Sequence, residues 1–417
     1  MRSLFLLLIF VNTHIITAQQ LVKKCHTSDL LENLSKSEPH IIDNMNAAEE
    51  QVTRHMASHQ LQARNAEVTI PVVVHIMYHT SSENISDAQI NSQIEAMTRD
   101  FNKENSDVLK TPSLFQGLVA NCGIRFQLAQ RDERGNATTG ITRDYSNQLT
   151  WGVSEDIKMP TKGGIAPWNP AKYLNIWVCN MGGRSIGFSS FPGMPAEYDG
   201  VVIDYRTFGT TGTARYPYDK GRTCTHEVGH WLGLFHIWGD AQCGDDHIHD
   251  TPTQEAEHKG NPTFPLYSIC KGTKTIDMTM NFMEYVNDES MYMFTNGQKD
   301  KMWAVLHSVR PTIMNSDAIL ARQVTPVESV AGVTANKIQI FPNPATDMVN
   351  IDIEGATLSE FSVSVADVNG KVRLWKLVNY TTPSVSLNIS DLPTGMYWVS
   401  IQKGDERIVK KMMKIRE

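Results

Sequence analysis

The chain is poor in the features that would tie it to a special environment. Its six cysteines in 417 residues are too few to define a fold, so any disulfides support a core rather than replace one. No basic stripe stands out against a net charge of −7, which argues against a nucleic-acid footprint. Beyond the N-terminus no apolar run approaches the ~20 residues that cross a bilayer, so no transmembrane segment is expected. What remains is the composition of an ordinary globular protein, long enough for two or three domains.

The informative stretch runs from Thr225 to His236. His226 and His230 are four apart, so on a helix they share one face and their imidazoles can converge on one ion. Gly233 can take a positive φ and end the helix, bringing His236 to the same ion from outside it. Three neutral ligands with an open fourth position is the catalytic arrangement of zinc, whereas structural zinc sites are closed by four ligands and rich in cysteine. Glu227 then stands beside the open position, able to take a proton from water there and deliver it to a leaving amine. A buried helix with satisfied histidines is the alternative, but five residue types on set spacings arise by chance on the order of 10⁻⁴ or less.

Some tens of residues downstream lies Asn281-Phe282-Met283-Glu284-Tyr285. The two stretches together resemble the metzincin metallopeptidases, whose signature is the long three-histidine motif followed by a Met-turn. Within them the chain is similar to the compact bacterial members of the pappalysin family, over roughly residues 70 to 310. That resemblance implies an α+β metzincin catalytic domain: a twisted sheet, a backing helix and the zinc helix, then a lower subdomain after the third histidine. It implies Met283 as an apolar floor beneath the histidines, Tyr285 as an oxyanion donor through its hydroxyl, and protein or peptide substrates.

At the N-terminus, Arg2, the apolar run Leu4 to Val11 and Ala18 read as a secretory signal peptide over residues 1–18. An exported protein reaches a compartment where disulfides persist. Residues 19–53 are polar and poor in aromatics, as a pro-segment would be. They contain Cys25 within Lys23-Lys24-Cys25-His26-Thr27. A thiolate in the fourth zinc position would displace water and silence the site, and the resemblance implies such a cysteine switch, although the family favours Gly where His26 stands. An unpaired or disulfide-bonded cysteine is the plain alternative.

The peptidase domain is placed at 54–322. Val68 to Tyr78 reads as a buried strand, and Ser86 with Gln89 as a capping box opening a helix with Ile90, Ile94, Met97 and Phe101 on one face. Ile124 to Gln130, Tyr173 to Cys179 and Gly200 to Tyr205 read as further strands, and Gln298 to Arg310 as a closing helix. After His236 a Gly- and Pro-bounded loop carries several carboxylates and a hydroxyl, a set suited to calcium. The resemblance puts calcium there, fitting Asp246 and Thr251 best, with Asp245 and Asp250 as further candidates; a solvated acidic loop is the alternative. It also implies a Cys243–Cys270 disulfide, stabilising by roughly 3 kcal/mol in the chain-entropy treatment, and leaves Cys122, Cys179 and Cys224 unassigned. Finally it implies Asp288 at the base of the pocket for the residue after the scissile bond, selecting arginine through a charge-assisted pair. An enzyme cutting before arginine could process itself at Arg54 or, alternatively, Arg64.

Residues 323–336 lack periodicity and form a linker. From 337 to 417 short alternating strands and Asn-Gly and Pro-Thr-Gly turns indicate an all-β antiparallel sandwich. Its Phe341-Pro342-Asn343-Pro344-Ala345 start, Leu392-Pro393-Thr394-Gly395-Met396-Tyr397 segment and basic tail at Lys410, Lys411 and Lys414 resemble the type IX secretion sorting domain. That implies a bacterial outer-membrane secretion machinery as partner and an extracellular or cell-surface location. Two readings follow: a secreted zinc endopeptidase made as a zymogen, or a catalytically silent surface-binding protein or adhesin on the same scaffold. The second has no need of Glu227, Tyr285 or Cys25.

Overall fold

The computed structural model describes residues 25–58, 67–183, 185–319, 338–353, 360–367, 372–379, 384–403 and 406–416. The expected signal segment, Arg64 and the linker lie outside the described residues. The chain divides into two units, Met1–Ala321 and Arg322–Glu417.

The first unit opens with two helices that the sequence pattern did not indicate, α1 (Thr27–Ser37) and α2 (His40–Ala57). They are mostly solvated and bury only a narrow stripe, Thr27 and Leu30 on one and Ile41, Ala48 and Val52 on the other. Arg54, placed at a domain boundary by the sequence, lies in the last turn of α2, which continues to Ala57.

The sheet is built around β1 (Val68–Tyr78), buried on both faces as a central parallel strand should be. α3 (Asp87–Phe101) follows and backs it through Ile90, Met97 and Phe101. Ser86 accepts the Gln89 amide N–H at 3.2 Å. The reciprocal half of the expected capping box is missing, because the Gln89 side chain turns to the Phe208 carbonyl at 2.8 Å and the Thr213 hydroxyl at 2.9 Å. β2 (Ile124–Leu128) and β3 (Ile141–Tyr145) pair in parallel with successive parts of one edge of β1, and β4 (Leu174–Cys179) with the other. β5 (Gly187–Ser189) forms the far edge, antiparallel to β6 (Val201–Asp204), which pairs with β4. Within β1, His75 is fully buried, with Nε2 3.1 Å from the Asn175 amide oxygen and Nδ1 2.9 Å from the Thr142 hydroxyl. Burial pushes its pKa down to about 4.

α4 (Arg222–Trp231) carries the histidine motif and is buried along its whole length. The lower region holds β7 (Lys259–Gly260), the hairpin β8 (Tyr267–Cys270) and β9 (Thr273–Ile276), and β10 (Tyr285–Val286), which pairs with β7. α5 (Asn296–Ser308) closes the unit, two residues earlier than its apolar pattern begins, because Thr295 and Gln298 form a full capping box. Val52 of α2 packs on Ala304 and Val305 of α5, and Lys301 pairs with Glu49 at 2.7 Å.

Among the described residues the second unit is a seven-stranded sandwich. One sheet orders β11 (Ile338–Phe341), β12 (Met348–Ile353) and β15 (Ser384–Asn388); the other orders β14 (Val372–Asn379), β13 (Glu360–Asp367), β16 (Gly395–Lys403) and β17 (Glu406–Lys414). Both contribute to one core that includes Val349, Ile351, Val363, Val365 and Val399. Of the basic tail, Lys410, Lys411 and Lys414 lie on edge strand β17, and the Lys414 ammonium is buried against the Thr346 carbonyl.

Candidate active site

α4 stacks His226 and His230 one turn apart, and its end is set by Gly233 at φ 87°. There the Gly233 N–H donates to the His230 carbonyl at 2.8 Å and the Leu234 N–H to the Gly229 carbonyl at 3.0 Å. His236 then arrives from outside the helix, with its Nε2 3.3 Å from His226 Nε2 and 3.1 Å from His230 Nε2. All three imidazoles are buried. Each is fixed through Nδ1: His226 to the Phe282 carbonyl at 2.7 Å, His230 to the Leu234 carbonyl at 2.7 Å, and His236 to the Asp240 carboxylate at 2.5 Å.

These acceptors cannot donate, so each Nδ1 carries the proton and each Nε2 presents a lone pair to the other two. Three converging lone pairs repel one another unless a cation lies between them, so the donor set fits zinc. Burial, then the neighbouring His236, pushes His230 down to about 3, which keeps its ring neutral. Cys25 completes the group, with its Sγ 3.6 Å from His230 Nε2 and all four ligand atoms within 4.8 Å of one another. Burial and the nearby Glu227 carboxylate push this thiol well above its ordinary value; only a bound cation would favour the thiolate there.

Glu227 is fully buried beside this group, and its Oε2 accepts from the Cys25 thiol at 3.5 Å and the Thr27 hydroxyl at 3.1 Å. Gly187 makes room for it, since a Cβ there would meet Glu227 Oε1 at 2.9 Å. Met283 lies fully buried under α4, and a Cβ at Gly229 would meet its sulfur at 2.5 Å. The Met-turn is held by Asn281, whose Oδ1 accepts from the Met283 N–H at 2.9 Å and whose amide exchanges bonds of 2.9 and 3.0 Å with Gln298. Tyr285 packs edge-on against His236 at 4.8 Å and donates its hydroxyl to the Cys25 carbonyl at 3.0 Å. Burial, then Cys25, raises the pKa of this hydroxyl, so it remains a donor.

The residues around Cys25 lie along edge strand β5. The His26 N–H donates to the Gly187 carbonyl at 3.2 Å, and the Ser189 N–H donates to the Thr27 hydroxyl at 3.0 Å. Thr27 therefore touches both the strand edge and Glu227, a role sequence reasoning missed; its one signal was a hydroxyl two residues after the cysteine.

The other expected residues lie outside this group. Asp288 is buried at the start of α4, its Oδ2 accepting from the Lys220 N–H at 2.9 Å and the Arg222 N–H at 3.3 Å. The Arg222 guanidinium beside it makes a bidentate pair with Asp107 at 2.6 and 2.7 Å. Asp246 accepts the Thr251 hydroxyl at 2.8 Å, and burial pushes its pKa up to about 6. Asp250 instead accepts from the Thr295 hydroxyl at 2.6 Å and the Gly297 N–H at 2.9 Å, and exposed Asp245 accepts from the His247 N–H at 2.7 Å. The structure thus joins Asp246 to Thr251 and turns the other two carboxylates to partners of their own. Cys243 and Cys270 form a disulfide, while Cys122, Cys179 and Cys224 are buried free thiols. Arg54 is exposed and pairs with Glu50 at 3.4 Å.

A family described as pregnancy-associated plasma protein-A matches residues 164–307, and one described as a secretion system C-terminal sorting domain matches residues 339–415. In structure the chain is similar to a promirolysin mutant from Tannerella forsythia, with a TM-score of 0.65 and 41% identity, covering 70% of this chain and 97% of that one. It is also similar to mature mirolysin from the same organism in complex with a cleaved peptide, with a TM-score of 0.58 and 45% identity, covering 60% of this chain and 96% of that one. An extracellular metalloprotease of Arthroderma benhamiae is 27% identical over 266 residues, 61% of this chain and 85% of that protein.

Proposed function

The chain belongs to the pappalysin family of metzincin metallopeptidases, and on that premise we propose that this secreted zinc endopeptidase is made as a zymogen and cuts before arginine. The observation that carries the zymogen reading is the convergence of Cys25 Sγ with the three histidine Nε2 atoms in one buried group. When bound, zinc supplies Lewis acidity toward a peptide carbonyl and toward water. His226, His230 and His236 hold it, their tautomers fixed from behind.

Glu227 takes the proton of the attacking water on its carboxylate and passes it to the leaving amine. Tyr285 donates its hydroxyl to the oxygen that gathers negative charge. In the latent chain that hydroxyl already bonds a peptide carbonyl, that of Cys25, at 3.0 Å. Residues 19–53 act as the pro-segment and 54–322 as the peptidase domain, with Cys25 as the switch and Arg54 as the first cut. Arg54 lies in a helical turn, so that cut needs local unfolding of the end of α2. The buried carboxylate of Asp288 supports arginine selectivity, and Asp246 with Thr251 would hold a structural calcium. The sorting domain directs export through the type IX machinery.

The test is a peptide-library digest by the activated enzyme, with and without a zinc chelator, read by mass spectrometry. Cleavage before arginine that vanishes with chelator and with Glu227→Gln, and loses its arginine preference with Asp288→Asn, is the expected result. Chelator-sensitive cleavage without that preference would remove Asp288 from its role. No cleavage by zinc-loaded protein free of its pro-segment would favour the surface-binding reading.

A further inference from the structure

One buried charged cluster stands directly behind Tyr285 and takes no part in the steps above. Glu284, between Met283 and Tyr285, is fully buried. Its Oε2 accepts from the Tyr285 N–H at 2.7 Å and from the His258 N–H at 2.9 Å. Its Oε1 faces the His258 ring at Nδ1, 2.8 Å away, and also takes the Gln254 amide. The other ring nitrogen of His258, Nε2, lies 3.2 Å from the Asp277 carboxylate, which is buried as well. His258 immediately precedes β7, the strand paired with β10, so one segment grips Tyr285 through both the ladder and Glu284.

A carboxylate can only accept. A ring held between two carboxylates therefore carries a proton on both nitrogens. Burial opposes that charge, but the bond and charge of Glu284 and then Asp277 outweigh it, and the His258 pKa is raised above 6.5. Glu284 and Asp277 are the charged groups facing the ring, while adjacent Lys259 pairs with Glu257 at 3.1 Å.

We propose that His258, as an imidazolium clamped between Glu284 and Asp277, is a positioning residue for proteolysis that keeps the Tyr285 hydroxyl aimed at the substrate carbonyl. This rests on the reading of Tyr285 as the oxyanion donor. When the ring loses its second proton at high pH, one buried carboxylate loses its donor and the turn carrying Tyr285 loosens, so kcat falls on an alkaline limb that belongs to His258.

The experiment measures kcat and KM from pH 6 to 10, with a fluorogenic peptide and enzyme activated from the full chain. His258→Gln should lower kcat about tenfold near neutrality, with KM and zinc content little changed, and erase the limb. Asp277→Asn takes away one carboxylate that holds the second proton but offers an amide that donates to the neutral ring, so it should keep kcat near neutrality and abolish the His258 limb; it also serves as the probe should His258→Gln fail to fold. In a Tyr285→Phe background, itself impaired, His258→Gln should add nothing. If Tyr285→Phe is impaired while His258→Gln and Asp277→Asn keep the wild-type kcat and pH profile, the proposal is overturned. An unimpaired Tyr285→Phe would instead overturn the oxyanion role and with it the premise.

Discussion

Replacing Gly229 by alanine tests whether the Met-turn supports the zinc helix by direct contact. Alanine in a helix interior is favoured over glycine by about 1 kcal/mol, so an unconstrained helix would be stabilised. Here the added Cβ would meet the Met283 sulfur at 2.5 Å, with Leu234 Cδ1 close behind at 3.6 Å. The sulfur must retreat by roughly 1 Å to reach ordinary contact, inside a core where Met283 is fully buried. Overpacking of that kind costs about 1–3 kcal/mol. The size of the displacement points to the upper part of that range and a net loss of about 1–2 kcal/mol. For a domain of this size that is a fall in Tm of roughly 2–8 °C. The assay is scanning calorimetry at fixed scan rate, in a Glu227→Gln background that prevents self-digestion. Removing the sulfur with Met283→Ala should reverse the sign, so that Gly229→Ala then raises Tm. Equal effects in both backgrounds, or a rise in the first, would refute the contact.

Thr27→Val keeps the side-chain shape but removes the bonds to Glu227 and Ser189. At ~0.5–1.5 kcal/mol for each such bond, the basal activity of the uncleaved chain should rise about tenfold; an unchanged basal rate in a fluorogenic assay would deny Thr27 a part in latency. His75 gives a pH dependence: its folded pKa is about 4 against about 6.5 unfolded. Between those values the unfolded state binds the extra proton, so stability falls by roughly 3 kcal/mol as pH drops from about 6.5 to 4 and levels off below. His75→Gln should flatten that part of the Tm–pH curve, and an unchanged slope would assign the acid loss to other groups.

The convergence of His226, His230 and His236 was legible because its geometry is written into one continuous stretch, where a helical repeat and one glycine fix three side chains. β1, α3 and α5 were legible for a related reason: each buries a periodic face. β3 and β5 were not, being short and, for β3, largely solvated, so neither has a period to read. α1 and α2 bury so little that their apolar stripe is lost among polar residues. The parts of the site that support the ligands were least visible. Asn281 with Gln298, Thr27 with Glu227, and His258 with Glu284 and Asp277 are joined across the fold, and no spacing in the chain announces them. The same holds for Gly187 and Gly229, whose need for a bare Cα comes from Glu227 and Met283. In the acidic loop the composition suited calcium and the resemblance pointed to Asp246, Thr251, Asp245 and Asp250; that Asp250 also takes the Gly297 N–H at the start of α5 has no signal in the spacing.

The central claim is that Cys25, His226, His230 and His236 share one zinc ion in the latent chain and that activation removes the sulfur. Zinc-edge X-ray absorption of the zinc-loaded full chain measures this directly. The account predicts one sulfur at ~2.3 Å with three nitrogens at ~2.0–2.1 Å, and loss of the sulfur shell after activation. A full-length spectrum without sulfur, or one that activation leaves unchanged, would contradict it.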